Sequence, residues 1–218
     1  MSQTPKPPPE LDPRWKNRVG VTVLERGLPP LPDVLDYSMS IPVAFWTATG
    51  NAVVLFLQFS RQPEGTFNPA VTMMGYTRTD TTWSPNRHVV GVGWSHDPIA
   101  HPRDVRDLGG RAMVTGGGGY TDNPTPGRPA AVTVGRVGPT VTQIALIQDG
   151  VEDRRILHSH FGAWVVCVER WLPYKINALD SDGNTLASIS GPPRLPSQPG
   201  SSPPRAHPEA DKPGTPGT

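Results

Sequence analysis

The density of proline and glycine constrains this chain more than any other feature of its sequence. Among 218 residues there are 28 prolines and 23 glycines. Proline removes a backbone amide donor and clashes with the preceding helical turn, and glycine costs a helix about 1 kcal/mol per site. A chain interrupted this often cannot be mainly helical, so strands and turns are expected.

Proline is concentrated towards the two ends, and residues 1 to 17 and 191 to 218 are predicted to be flexible tails. The second tail holds 9 prolines in 28 residues and has Leu195 as its single large apolar side chain. Such a segment buries too little apolar surface to offset the entropy of ordering it. Pro193, Pro196 and Pro199 are spaced by three, which would align them along one edge of a polyproline II helix. The tail is therefore either a solvated spacer or a docking segment for an aromatic groove.

We predict that residues 18 to 190 form one all-β domain, an antiparallel sandwich or barrel-like fold with a possible subdivision near 116 to 129. Val19, Val21 and Val23 alternate with other residues, which indicates a strand. Residues 41 to 48 and 52 to 59 flank Thr49-Gly50-Asn51 and predict a hairpin, and because the second arm is apolar on both faces we expect a central strand. Other candidates in this half are strands at 70 to 77, 88 to 94 and 111 to 115 and a short helix near 99 to 108.

From about residue 130 the alternation predicts a C-terminal meander. Asp149-Gly150 and the segment from Asp180 to Asn184 are expected to be tight turns, because Gly and Asn accept the positive φ that such turns demand. The predicted strands are 131 to 137, 141 to 148, 154 to 159, 162 to 171, 174 to 179 and 185 to 190.

Three short motifs in this region carry a resemblance. They are Val134-Gly135-Arg136-Val137-Gly138, then Phe161-Gly162-Ala163-Trp164, then Ile176-Asn177-Ala178-Leu179-Asp180-Ser181-Asp182-Gly183-Asn184-Thr185-Leu186. The stretch from about 131 to 190 resembles the C-terminal part of uncharacterised β-rich actinobacterial proteins. Val165-Val166-Cys167-Val168 stands here in place of the tryptophan-rich continuation usual in those proteins. The resemblance implies a β-rich fold and no activity.

Charge and hydropathy exclude several kinds of partner. The net charge is +1, and no basic stripe is visible of the kind with which a nucleic-acid binder neutralises phosphates, so no nucleic-acid partner is expected. The longest apolar run, Ala52 to Leu57, is far short of the roughly 20 residues of a membrane span, and the N-terminus has no apolar stretch. We therefore expect a soluble, cytoplasmic protein without a signal peptide or membrane insertion.

Cys167 is the single cysteine, which excludes an intrachain disulfide and a site of several thiolates. It lies in the apolar run Trp164 to Val168, so a buried and inert thiol is expected. Gly116 to Gly119 lacks the Gly-Lys-Ser/Thr continuation of a phosphate-binding loop and predicts a flexible loop. Asp180, Asp182 and Asn184 alternate as calcium ligands do, but the hairpin turn already accounts for them. No cofactor is expected.

His158 and His160 are the candidate metal ligands. Residues two apart on a strand point to the same face, so both imidazoles would converge on one ion, with His96, Asp97 or His101 supplied by a separate loop. Such a centre would acidify a bound water for hydrolysis or brace the fold. The alternative is that these are polar residues at the end of a strand.

Six tryptophans raise a second possibility, the binding of saccharides or small ligands on flat aromatic faces. Trp83 and Trp94 lie near turns with Thr, Ser, Asn and His, and these two are the ones expected to be exposed, whereas Trp46 and Trp164 lie in apolar strands and are expected to pack in the core. Ser95-His96-Asp97 contains the residue types of a catalytic triad, but adjacency in sequence does not create its geometry.

The leading interpretation is therefore a non-catalytic binding, structural or accessory β-domain. A protein partner would bind through the domain surface or through the proline-rich tail. A metal-dependent hydrolase centred on His158 and His160, and a saccharide or small-ligand binder that uses Trp83 and Trp94, are the alternatives.

Overall fold

The computed structural model describes residues 13–94, 97–102, 106–120 and 129–191. These residues form one helix and eleven strands in three antiparallel sheets, so the all-β prediction is confirmed, and the architecture is sandwich-like without a closed barrel. The helix α1 is Pro13–Arg26, and the strands are β1 (Ser40–Thr47), β2 (Asn51–Arg61), β3 (Phe67–Thr79), β4 (Thr82–Gly93), β5 (Met113–Tyr120), β6 (Ala131–Val137), β7 (Gln143–Gln148), β8 (Val151–Ile156), β9 (Ala163–Val168), β10 (Tyr174–Leu179) and β11 (Thr185–Gly191).

The N-terminal sheet has the order β1-β2-β3-β4 and is built around the predicted hairpin. β1 and β2 pair across the turn at 48 to 50, and β2 lies between β1 and β3, which confirms it as a central strand. Its two faces enter different clusters of apolar side chains: Leu55 packs in the main core, and Phe56 packs in a second core beneath α1. Both side chains are fully buried, as the uninterrupted apolar run requires.

The prediction of a strand at Val19, Val21 and Val23 is wrong, because these residues lie in α1. The helix also includes residues 13 to 17, so the prediction that they belong to a flexible N-terminal tail is wrong. The sequence pattern that indicates this helix is the four-residue spacing of Trp15, Val19 and Val23, which places all three on one helical face. That face packs against the N-terminal sheet. Pro13 occupies the first helical position, where proline is tolerated.

Lys16 is a charged residue under α1, and only 7% of it is exposed. Its Nζ donates to Gln58 Oε1, and burial lowers the pKa of the ammonium group. The folded state therefore binds the proton less tightly than the unfolded state. Stability must rise with pH across the window between the lowered pKa and the ordinary lysine value of about 10.4.

Comparison with Lys16→Met isolates the contribution of the Lys16 ammonium group to the pH dependence of stability. The stability of the unmodified chain should increase relative to that of Lys16→Met as the pH rises towards about 9.5, a limit that stops short of the ordinary tyrosine pKa near 10. This limit matters because burial raises the pKa of Tyr76, whose hydroxyl donates to the Lys16 carbonyl, and its linkage has the opposite sign. Urea unfolding at several pH values measures the difference. Parallel pH profiles would contradict a buried charged lysine.

The strands predicted after residue 130 are present, but the meander prediction is wrong. β6 and β9 pair with each other and with β5 in a three-stranded sheet, whereas β7, β8, β10 and β11 form the C-terminal sheet in the order β11-β10-β7-β8. Every position of β6 and β9 is buried, which suits strands covered on both faces. The strands of the hairpin β7-β8 and of the hairpin β10-β11 keep polar or exposed positions and form a sheet with one open face.

Local turn chemistry was predicted correctly at both C-terminal hairpins. Asp149 and Gly150 have φ values of 55° and 73°. In the other turn, Oδ1 of Asp180 accepts from the amide of Asn184 at 2.8 Å, and Gly183 has a φ of 85°. The side chain of Asp180 therefore closes the turn together with the backbone hydrogen bonds between Asp180 and Asn184, which accounts for the polar residues of this segment.

Two loop-region predictions need correction. The run Gly116 to Gly119 is not a loop but part of β5, which pairs with β6 around a bulge between Thr115 and Gly117. A Cβ at Gly118 would lie 2.6 Å from the Val132 carbonyl oxygen, so the close approach of the two strands explains a glycine there. In the stretch 99 to 108, the described residues form turns rather than a helix, and residues 103 to 105 lie outside the described part of the chain.

One apolar core joins the three sheets, with Trp46 of β1, Trp164 of β9 and Ile176 of β10 among its members. A hydrogen bond of 3.1 Å between Thr133 Oγ1 and the Tyr174 hydroxyl links the three-stranded sheet to the C-terminal sheet inside it. No helix in the described part of the chain combines the length and the apolar character that a membrane span requires.

Candidate functional site

The candidate metal ligands lie in loops and differ in their surroundings. β8 ends at Ile156, so His158 and His160 lie in the following loop rather than on a strand. His158 is exposed, whereas Nε2 of His160 is hydrogen-bonded to the Pro29 carbonyl oxygen at 2.8 Å. His101 is exposed, Asp97 accepts from the Tyr37 hydroxyl, and His96 lies outside the described residues. Within the described ranges, no three His, Cys, Asp or Glu side chains are grouped closely enough to hold a metal ion.

The expected exposure of two tryptophans is only partly met. Trp94 is 7% exposed and belongs to the main core, with the Arg136 guanidinium 5.6 Å from its ring centre, so its prediction as a surface residue is wrong. Trp83 is half-buried at the rim of the core beneath α1, where Arg78 lies 5.7 Å from its ring. The structure therefore does not present Trp83 and Trp94 as a pair of open faces for a sugar.

Cys167 is buried in β9, as predicted. Burial raises the pKa of its thiol to about 12, with a further contribution from the Glu169 carboxylate. The thiolate is the nucleophilic form, so this cysteine is inert at neutral pH.

Three edge strands meet around the candidate site. β1 is an edge of the N-terminal sheet, β8 is an edge of the C-terminal sheet and β9 is an edge of the three-stranded sheet. A cleft of about 360 Å³ lies between them, and a second cleft of about 370 Å³ adjoins it across Thr47 and Arg155. We call the two clefts together the junction groove.

The first cleft is lined mainly by apolar side chains. Trp46 comes from β1, Ile144 from β7 and Trp164 from β9, while Leu157 and His158 border it from the loop after β8. Trp46 and Trp164 are 4% and 1% exposed, so little of either ring reaches the surface. A flat apolar floor under a small polar rim is the usual composition of a ligand cleft.

Arg155 is held rigidly at the point where the two clefts meet. Its guanidinium stacks on the ring of Trp46 at 3.9 Å from the ring centre. Asp153 accepts two hydrogen bonds from it, at 2.9 and 2.5 Å, and Thr47 Oγ1 accepts a third at 3.1 Å. Because its charge is neutralised by Asp153, Arg155 serves as a preorganised planar wall rather than as a free cation.

Trp164 is positioned by a glycine on the neighbouring strand. Gly135 is its direct cross-strand partner, and a Cβ at that position would lie 2.8 Å from the indole and 2.0 Å from the Val114 carbonyl oxygen. The absence of a side chain thus lets the indole lie flat against the three-stranded sheet. Its Nε1 is buried and has no hydrogen-bond partner.

The second cleft has a more polar lining. Leu146, Gln148, Val151 and Asp153 line it from the C-terminal sheet, and Glu169 and Arg170 line it from the segment after β9. Glu169 Oε1 accepts from the Gly50 amide at 3.3 Å, which ties the β1–β2 turn to this wall. Val151, at the outer end, is 66% exposed, and an apolar side chain therefore stands at the mouth of the groove.

A wider depression of about 720 Å³ lies elsewhere, between the loop at 106 to 112 and β11. Arg106 borders it, but its guanidinium donates to the carbonyl oxygens of Gly138 at 2.6 Å and Val141 at 3.2 Å. These bonds fasten the loop to the β6–β7 connection. The arginine therefore has a structural role in holding this wall.

His158, which was predicted from the sequence as a metal ligand, borders the first cleft, but no other residue of the junction groove was identified from the sequence as a binding residue. The groove residues come from β1, β7, β8 and β9, and no local motif links those segments. One feature of the sequence could have indicated the groove. In Val151-Glu-Asp-Arg-Arg-Ile156 each arginine forms an ion pair with an acidic residue two positions earlier, and valine and isoleucine flank these charges. A short strand with exposed apolar ends is unusual and is compatible with an interaction edge.

Comparisons of this chain with protein-family models, with curated proteins and with solved structures give no match. The resemblance of residues 131 to 190 to β-rich actinobacterial proteins therefore stays a prediction.

Proposed function

We propose that this protein is a non-catalytic binding domain that holds an extended peptide segment of a partner protein in the junction groove. The observation that carries the proposal is the groove itself: two adjoining clefts between three edge strands, lined by apolar side chains and by a fixed arginine. Extended peptides bind along exposed strand edges, where backbone groups give affinity and side-chain pockets give specificity.

The shape and the chemistry of the groove support a peptide as the ligand. β8 has β7 as its one strand partner among the described residues, so its other edge offers backbone donors and acceptors. Successive pockets along this edge differ: the first is apolar around Trp46 and Trp164, and the second mixes Leu146 with Glu169 and Arg170. A peptide of alternating apolar and polar side chains fits that sequence of pockets.

Rigidity of the site also supports recognition rather than catalysis. Arg155 is fixed by Asp153, Thr47 and the face of Trp46, so no side chain has to be ordered when a ligand arrives. The imidazole of His158 is exposed on the rim of the first cleft. A lone imidazole has neither a nucleophile nor an orienting carboxylate beside it in this cleft, so it is assigned a contact role.

A peptide library tests the proposal. Random octapeptides displayed on phage should yield binders to the unmodified protein, and Val151→Glu should weaken the selected peptides by about tenfold, because a carboxylate at the mouth removes apolar burial worth about 1.4 kcal/mol. Binding is measured by fluorescence anisotropy of the labelled peptide.

The matched control is Val34→Glu. Val34 is 75% exposed but lies outside the groove, so this variant introduces the same charge at an exposed valine elsewhere. Binders whose affinity falls equally in both variants, or in neither, would contradict the groove as the binding site.

A further inference from the structure

Glu169 is the acidic side chain of the second cleft that has no cationic partner among the described residues. Asp153 is paired with Arg155 at 2.5 Å, whereas no ion pair joins Glu169 to a Lys, Arg or His side chain in the described ranges. Its Oε1 accepts from two neutral groups, the Gly50 amide at 3.3 Å and Asn51 Nδ2 at 3.5 Å, and both bonds are long. Glu169 is half-buried, so solvent compensates only part of its negative charge.

The side chain of Asn51, next to this carboxylate, has an unused acceptor. Asn51 is 5% exposed, and its Oδ1 is buried without a hydrogen-bond partner in the described part of the chain. Residues two apart on a strand share a face, so Asn51 lies on the same face of β2 as Val53 and Leu55, which pack in the main core. This face is the one towards the junction groove, where Asn51 Nδ2 contacts Glu169. A buried acceptor without a donor is costly, so a donor that enters here is favoured.

The backbone of β8 decides which side chains of a paired peptide enter the groove. The amide of Leu157 donates to the Thr142 carbonyl, so the odd-numbered residues of β8 turn their backbone groups towards β7 and the even-numbered residues turn theirs towards the free edge. In an antiparallel pair, residues opposite each other direct their side chains to the same face. Asp153 and Arg155 line the groove, so the peptide residues opposite them also direct their side chains into it.

The two clefts then fix an order of side chains in the peptide. Arg155 borders the apolar first cleft as well as the second, whereas Val151 and Asp153 line the second. The peptide residue opposite Arg155 therefore reaches the apolar cleft, and those opposite Asp153 and Val151 lie in the cleft that contains Glu169. Because antiparallel strands run in opposite directions, the apolar residue comes first in the peptide, and the residue near Glu169 follows two or four positions later.

We propose that the second cleft is a subsite for a lysine or arginine side chain of the bound peptide, with Glu169 as its counter-ion and Asn51 Oδ1 as a further acceptor. This proposal rests on the proposed function, since it states the chemical class of the peptide: an apolar side chain followed two or four positions later by a basic one. A basic side chain donates hydrogen bonds from a positive charge, and such bonds are about twice as strong as neutral ones.

Peptides selected from the octapeptide library test this order. Lys or Arg should be enriched two or four positions after an apolar residue, and Glu169→Gln should weaken the selected peptides about tenfold, because it removes the charge of the counter-ion. Glutamine keeps an oxygen that accepts from the Gly50 amide, so the β1–β2 turn stays attached. Replacement of the basic peptide residue by norleucine should cost a similar factor, and Glu169→Gln should not weaken the norleucine peptide further, as expected for one shared contact.

The matched control is Glu152→Gln. Glu152 also lies on β8, but its side chain pairs with Arg154 at 2.8 Å and lies on the opposite face of the sheet from Asp153. This variant removes the same charge outside the second cleft and should change peptide affinity by less than about twofold. Equal weakening by Glu152→Gln and Glu169→Gln, or additive losses for Glu169→Gln and the norleucine peptide, would overturn the assignment of Glu169.

Two further outcomes separate this proposal from the proposed function. If the selected peptides depend on Val151 but lack the basic residue and bind Glu169→Gln equally well, only the basic subsite is wrong. If no selected peptide depends on Val151, the proposed function fails, and N-acetyllysine methylamide alone tests the subsite. It should shift the NMR signals of the Asn51 side-chain amide, N-acetylnorleucine methylamide should not, and Glu169→Gln should abolish the shift. No shift with the lysine compound would overturn the subsite.

Discussion

Trp164→Ala should lower the free energy of unfolding by about 3 to 5 kcal/mol, the range for removal of a fully buried aromatic side chain. Trp164 is 1% exposed, lies against Gly135 and forms part of the floor of the junction groove. Its removal leaves a cavity that cannot fully collapse, because β9, which carries this residue, is held against β6 by backbone pairing. Urea unfolding, followed by far-ultraviolet circular dichroism, measures the loss.

Two control variants define what is specific to this position. Trp83 is half-buried at the rim of the core beneath α1, so Trp83→Ala should cost about 1 kcal/mol. Trp164→Phe keeps most of the apolar volume and should cost less than Trp164→Ala. If Trp83→Ala and Trp164→Ala destabilise the protein equally, the indole of Trp164 is not the core residue that the structure indicates.

Gly20→Ala should destabilise the protein, against the usual effect of this substitution in a helix. Alanine normally stabilises a helix interior by about 1 kcal/mol relative to glycine. Here a Cβ at Gly20 would lie 1.7 Å from the Tyr76 hydroxyl oxygen, and the Tyr76 ring is 1% exposed and cannot move aside. We expect a net loss of about 1 to 3 kcal/mol, typical of overpacking, as α1 is forced away from the N-terminal sheet.

Thr22→Ala is the matched control in the same helix. Thr22 is exposed, and its hydroxyl donates to the Arg18 carbonyl at 3.1 Å, so its replacement changes helix propensity without changing the packing of α1 on the sheet. It should stabilise the protein by a few tenths of a kcal/mol. A gain in stability for Gly20→Ala would show that α1 does not pack closely on Tyr76.

The edge strands around the junction groove provide a physical basis for the proposed peptide binding. Edge strands expose backbone groups that proteins usually cover or shorten, and three of them meet at this groove. A ligand that pairs with β8 and places an apolar side chain in the first cleft would cover this edge.

Local sequence chemistry predicted much of the fold. The apolar run at 52 to 59 became β2, Asp149-Gly150 became a turn with both φ values positive, and the side chain of Asp180 closed the last hairpin. Each of these depends on neighbours within a few residues. Cys167 was also placed correctly, because a thiol between valines in a strand has no polar partner to draw it to the surface.

The wrong predictions concern features that a pattern of neighbouring residues in the sequence does not distinguish. Val19, Val21 and Val23 alternate like a strand, but the four-residue spacing of Trp15, Val19 and Val23 fits the face of the helix that covers the N-terminal sheet. The run of four glycines was predicted as a loop because glycine is flexible, yet in β5 it permits the close approach of β6. Trp94 was expected at the surface from its polar neighbours, although its own ring is buried.

The amino-acid sequence by itself determined the class of the fold, most strand positions and the tight turns, since proline, glycine and apolar alternation act over short distances along the chain. Only the tertiary structure decided which strands share a sheet and therefore where the junction groove lies. β6 and β9 do not join the expected meander. Every position of these two strands is buried, so both of their faces must be covered by other parts of the structure. That rearrangement brings Trp46, Arg155 and Trp164 together from three sheets, and no spacing along the chain records it.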